Sequence, residues 1–119
     1  MAYKKREAGL SELSVRQLKA RRRRLAWAMP DLEEVLRGSV LNQGRRCGKE
    51  GCRCARGETH GPYVYLSIGR GSGDSRLLYV PSSLADEVQR RVDLTDAAEA
   101  ALEEISSINL ELLGRRELA

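Results

Sequence analysis

"GPYVYLSIGRGSGDSRLLYVPSSLADE", residues 61–87, decides the fold. Its first part, YVYLSI (63–68), is dense in β-branched and aromatic residues. GRGSGD (69–74) is turn material, and SRLLYV (75–80) repeats the strand composition. The three segments together predict an antiparallel β-hairpin with a Gly-rich tip. Pro62 and Pro81 bracket it at the outer ends, where a missing amide donor costs least. Pro81 is also a start signal. Ser82 or Ser83 supplies an N-cap, and Asp86 and Glu87 suit the positive end of a helix dipole.

Downstream, the chain from Ser82 onward reads as helix. Leu94, Ala98, Ala101, Ile105, Ile108 and Leu112 fall at alternating steps of four and three, the spacing of a heptad seam. DLTDAAE (93–99), with Thr95 as a second cap, is the one place where this helix could divide; a single long helix is preferred. Gly114 followed by Arg115 and Arg116 suits a C-terminal stop. Upstream, residues 11–36 also read as helix. Ser11 or Ser14 caps it, and Leu13, Leu18, Leu25, Met29, Leu32 and Leu36 form a rough apolar stripe. Pro30 interrupts this helix. Either it ends near Ala28 and a short second helix covers Asp31–Leu36, or it continues with a kink. SVLNQG (39–44) is a short strand.

The predicted fold class is therefore α+β. It comprises a basic N-terminal helical arm over residues 1–37, a loop with a small antiparallel sheet over 38–81, and a C-terminal helix over 82–119 for pairing or dimerisation. Length allows one domain, or a small domain with a helical arm. The chain has 119 residues, no Phe and one Trp. A core this thin ordinarily needs a staple, whether a disulfide, a metal or a partner subunit. No apolar run approaches the roughly 18 residues of a membrane span. The start, MAYKKREAGL, lacks the apolar centre of a secretory signal. The expectation is a cytoplasmic protein without a membrane partner, in a reducing compartment where cysteines serve metals or catalysis more often than disulfides.

The formal net charge is +4, but it is unevenly placed. The N-terminal arm and the loop after Gly44 are basic, and the C-terminal third is acidic. Blocks of charge say more about partners than the total does. In the arm, Arg21, Arg22, Arg23 and Arg24 cover every side of one helical turn. Some pair with Glu99, Glu103 and Glu104 if the two long helices pack antiparallel; the others are available to nucleic acid. In the loop, Arg45, Arg46, Lys49, Arg53 and Arg56 offer phosphate-binding groups. Tyr63 and Tyr65 share one face of their strand. Exposed, they stack on bases or sugars; buried, they replace the missing Phe, and at least one is expected in the core.

The loop also holds all three cysteines and the one histidine, as Cys47-x4-Cys52-x-Cys54-x5-His60. Three thiolates and an imidazole match a tetrahedral structural zinc site in ligand type and number. Gly48, Gly51, Gly57 and Gly61 permit the tight turns around a metal. The competing readings are small apolar cysteines, a disulfide, or a nucleophilic cysteine working with His60. Structural Zn2+ held by Cys47, Cys52, Cys54 and His60 is the preferred one.

The stretches LRGSV (36–40), CGKEGCRCARGETHGPYVYLS (47–67), YVP (79–81) and ISSINLELL (105–113) resemble a family of small uncharacterised bacterial and phage proteins. That family carries a CGKxxCRCAxGxxHGPYxYLS block, a strand ending in YVP and a closing helix. Its members often lie near transposases and other mobile-element genes. The resemblance implies that Cys47, Cys52, Cys54 and His60 act as a unit, that Gly61-Pro62-Tyr63 launches a strand, and that the role involves nucleic acid. It carries no enzymatic activity, and the chain itself shows no HExxH, P-loop or serine-nucleophile context. The expected function is that of a zinc-stabilised DNA-binding protein, with RNA as a further candidate ligand, serving as an accessory or regulatory factor of a mobile element or phage. The expected partners are a homodimer formed through the C-terminal helix and a mobile-element protein. The alternative is a protein-binding adaptor that uses the helical seam.

Overall fold

The computed structural model describes residues 9–45, 60–69 and 76–119, with the side chains of Arg45 and His60 outside the description. Helical residues 9–11 lead into helix α1, Val15–Trp27. A 3-10 turn follows at Leu32–Glu34. Strands β1 (Ser39–Arg45), β2 (His60–Ile68) and β3 (Arg76–Val80) come next. A 3-10 turn at Ser82–Leu84 opens helix α2, Ala85–Gly114. The expected α+β class is what is observed.

Local chemistry accounts for both ends of α1. Of the two candidate serines, Ser14 caps α1. Its Oγ accepts from the Gln17 amide at 3.1 Å, while Gln17 Oε1 accepts from the Ser14 amide at 2.8 Å. This reciprocal capping box satisfies two donors that the helix start leaves without partners. The helix ends at Trp27, as Pro30 disfavours helical geometry in the residue before it. The second helix expected over Asp31–Leu36 is reduced to a single 3-10 turn, too short for α-helical hydrogen bonds to propagate.

The strands form one antiparallel sheet in the order β1-β2-β3. β2 pairs with β1 from Ser39↔Ser67 to Arg45↔His60, with a bulge between Gln43 and Arg45. It pairs with β3 from Val64↔Val80 to Ile68↔Arg76. The β2 strand thus starts before Pro62, because β1 provides a partner as far as His60. Gly38 has φ 151°, and a Cβ there would stand 2.7 Å from Leu66 Cδ1 and 2.8 Å from the Ser67 carbonyl oxygen. Only glycine lets the chain enter β1 this close to β2.

Contacts divide the chain into two compact units, one built from Leu32–Thr95 and the other from the described residues up to Asp31 with Asp96–Ala119. In the sheet unit, period-two alternation places Val64, Leu66 and Ile68 on one face of β2. Leu66, Val80 and Val92 form the buried centre, with Leu36, Val40 and Val88 packed against it. Buried Thr95 ties the loop to the helix: its hydroxyl donates to the Arg91 carbonyl at 2.6 Å and accepts from the Leu36 amide at 2.8 Å. That double use keeps Thr95 inside a continuous α2, where composition also allowed a helix break. Near the start of α2, Glu87 accepts from Arg90 and Arg91. The Arg90 guanidinium first and Arg91 second hold its carboxyl well below the usual range, at about 2.

In the helical unit, Leu10, Leu18, Ile108 and Leu112 are buried together, with Leu13, Val15 and Leu25 against them. Half of the heptad seam, Ala98, Ile108 and Leu112, is thus buried within one chain. Arg115 fastens the N-terminal segment to α2. Its guanidinium donates to the carbonyls of Leu13 at 2.7 Å and of Leu10 and Ser11 at 3.1 Å, and to Glu111 at 2.8 Å. The helix stops at Gly114, with the left-handed cap residue two positions on. Arg116 takes the left-handed conformation at φ 62°, and the Glu117 amide donates to the Leu112 carbonyl at 2.8 Å, the bonding of a Schellman cap.

Candidate nucleic-acid interface

The four consecutive arginines of α1 separate by direction. At about 100° per residue, each points a different way. Arg21 forms an ion pair with Glu104, and Arg22 Nη1 donates to Asn109 Oδ1 at 2.6 Å. Both are committed to α2, in the antiparallel helix pairing anticipated for Glu104. Arg23 and Arg24 point outward and are exposed. Arg16 is exposed as well. Among the described residues, none of these three guanidinium groups has a hydrogen-bond or ion-pair partner.

Trp27 joins them. It is the only Trp of the chain and is 84% exposed. Arg16, Ala20, Arg23 and Trp27 follow at steps of four, three and four, so they fall within a sector about 60° wide, with Arg24 at its margin. Buried Leu18 lies on the opposite side of the helix. A depression lined by Leu13, Gln17, Ala20, Arg21 and Arg24 flanks this sector on the side of Arg24. Guanidinium groups and an open indole on one rigid helix make a surface suited to phosphates, with a ring available to stack on a base or sugar. Sequence reasoning misses Arg16 and Trp27. The signal it offers is the position of Trp27 off the apolar stripe, at helical spacing from Arg16, Ala20 and Arg23.

The sheet unit has an aromatic surface of its own. Tyr63 and Tyr65 share a face with Tyr79, which lies opposite Tyr65 across the β2–β3 pairing. Tyr79 meets both edge-on, at ring-centroid distances of 6.4 Å to Tyr63 and 5.9 Å to Tyr65. Tyr65 is buried at 6% exposure, while Tyr63 and Tyr79 are open. One tyrosine of the predicted pair thus serves as core, as expected, and the other lies open beside Tyr79.

Of the predicted loop residues, Arg45 ends β1 and pairs through its backbone with His60 at the start of β2. Arg46, Lys49, Arg53, Arg56, Cys47, Cys52 and Cys54 lie outside the described residues. The expectation of a metal-binding protein is corrected. Among the described residues, no group of three or more His, Cys, Asp or Glu side chains is placed to hold a metal ion. Three of the described carboxylates are engaged otherwise. Glu87, Glu104 and Glu111 face arginines on helices and serve ion pairs. No helix among the described residues is long and apolar enough to cross a membrane.

Fold and surface together define a small α+β protein with a basic, tryptophan-bearing helix face. A family model described as a domain of unknown function (DUF6788) matches residues 15–90, and the chain belongs to that family. The match takes in α1, the whole sheet and the start of α2. No curated protein and no solved structure matches the chain.

Proposed function

We propose that this protein binds nucleic acid, with double-stranded DNA as the ligand, and serves as an accessory or regulatory factor of a mobile element or phage. The observation that carries the proposal is the outer face of α1, where Arg16, Arg23 and Arg24 have no partner among the described residues and stand beside open Trp27. Guanidinium groups of this kind are available to phosphate oxygens, and such contacts supply most of the sequence-independent affinity of DNA-binding proteins. The basic residues Arg45, Arg46, Lys49, Arg53 and Arg56 add charge of the same sign in the sequence. The role is one of binding, without catalysis.

Because Trp27 is the only Trp, its emission reports on the site directly. Titration of the full-length protein with random-sequence duplex at low salt should change that emission saturably. Filter binding on duplex and on single-stranded DNA should give affinity for the duplex. A protein that binds neither at low salt defeats the proposal. The second reading, a protein-binding adaptor, is favoured by the open leucines Leu102, Leu110 and Leu113 on α2. It predicts unchanged Trp27 emission on addition of DNA.

A further inference from the structure

Helix α2 has a second apolar face. Leu102, Ser106, Asn109 and Leu113 follow at steps of four, three and four. They line an open groove, together with Ile105, Leu110 and Leu118. This stripe lies about 100° around the helix from the line of Ile108 and Leu112, which the same chain buries. Leu102, Leu110 and Leu113 are exposed at 54%, 61% and 51%. Large side chains opened in one contiguous stripe mark a contact surface.

We propose that the chain forms a two-fold symmetric dimer in which this stripe of α2 packs antiparallel against the same stripe of a second copy. The ground is that the stripe is its own complement. About a centre between Ser107 and Ile108, residue 102 mirrors 113 and residue 106 mirrors 109. An antiparallel two-fold pairing sets each residue against its mirror. Leu102 of one copy then meets Leu113 of the other, twice. Ser106 of one copy meets Asn109 of the other, also twice, in the middle of the contact. Asn109 already uses its Oδ1 to accept from Arg22, which leaves its amide NH2 to donate to the serine hydroxyl of the second copy. A polar pair satisfied only in this register fixes the alignment.

Charge is complementary in the same arrangement. Exposed Arg116 follows the helix end, and Glu99 and Glu103 flank the other end of the stripe. The two-fold brings Arg116 of each copy beside Glu99 of the second, since 116 and 99 are mirror positions. Residues 1–8 are a poorer match as a cover. Residues 1–8, MAYKKREA, are mostly charged or small and offer one ring to a row of leucines. The dimer does not depend on the DNA reading, because the outer face of α1 takes no part in it.

The test is sedimentation of the full-length protein across micromolar concentrations. Wild type should pass from monomer to dimer as concentration rises. Leu102→Lys and Leu113→Glu, each alone, should weaken association at least about tenfold, since symmetry alters two contacts at once. Both positions are exposed, and an unchanged circular dichroism spectrum confirms folding. An equimolar mixture of the two variants should associate more tightly than either alone. The introduced lysine of one copy then faces the introduced glutamate of the other across one contact, while leucines fill the second. A parallel dimer cannot produce that rescue. Wild type that stays monomeric at several hundred micromolar, variants that dimerise like wild type, or a mixture without rescue overturns the proposal.

Discussion

The helical unit and the sheet unit distribute their side chains under different geometric rules. A strand has two faces, so each β2 residue goes either toward Leu66, Val80 and Val92 or toward the tyrosines. A helix has room for three directions. On α1 these are Leu18 in the core, Arg21 and Arg22 joined to α2, and Arg23 with Trp27 in solvent. On α2 they are Ile108 and Leu112 inward, the arginine-paired acids on the flank, and the Leu102–Leu113 stripe outward. Helices therefore let structural and binding residues stand next to each other in sequence. Strands separate them by simple alternation.

Substitution breaks this contrast most visibly in the core of the helical unit. Leu18, Ile108 and Leu112 are fully buried, so Leu18→Ala should cost about 3 kcal/mol in chemical denaturation, the range for buried leucine truncations. Trp27→Ala, further along the same helix in the third direction, should shift stability by no more than about 0.5 kcal/mol, as an exposed substitution does. A comparable loss at Trp27 would mean that its ring is structural.

A smaller effect is expected where polar groups do the joining. Arg115→Met keeps the stem but removes donors from the carbonyls of Leu10, Ser11 and Leu13. A cost of about 2 kcal/mol follows from losing charge-assisted hydrogen bonds in a half-buried setting. The hydrogen-exchange protection of residues 10–13 should fall with it.

The smallest expected effect is in the sheet unit and depends on pH. Glu87 ionises at about 2 in the folded protein against an ordinary 4.5. A depressed carboxyl stabilises the fold above its unfolded value, and that contribution is lost as pH falls from 4.5 towards 2. Glu87→Gln should therefore flatten the acid limb of stability across this window. A limb identical to wild type would mean that the bonds to Arg90 and Arg91 do not persist in solution.

Legibility in the sequence followed the same geometry. The hairpin, the α2 start after Pro81 and the end of α1 before Pro30 all rest on local composition. Alternation placed Tyr63 and Tyr65 on one face, but which of them is buried depends on their neighbours across the sheet. The division among Arg21, Arg22, Arg23 and Arg24 was legible only as a principle, since four residues on one turn cannot share a direction. Which two turn outward depends on where Leu18 meets Ile108. Trp27 was missed for that reason: a ring off the apolar stripe becomes informative only once the inward direction is known. The heptad seam was legible as a pattern, but not its partner, because burial by Leu10 and Leu18 and burial by a second chain leave the same spacing. Gly114 ends the helix as composition suggested, but Arg116 takes the left-handed cap position, beside the N-terminal segment that Arg115 holds.

The division of the arginines is tested most directly by the salt dependence of duplex binding in two paired variants. Arg23→Gln with Arg24→Gln should lower the slope of log K against log salt by about two, near one unit for each phosphate no longer held, and leave stability unchanged. Arg21→Gln with Arg22→Gln should lower stability and leave the slope as in wild type. Equal slopes in wild type and the Arg23/Arg24 pair, or a slope that falls only in the Arg21/Arg22 pair, would contradict the outer face of α1 as the DNA-binding surface.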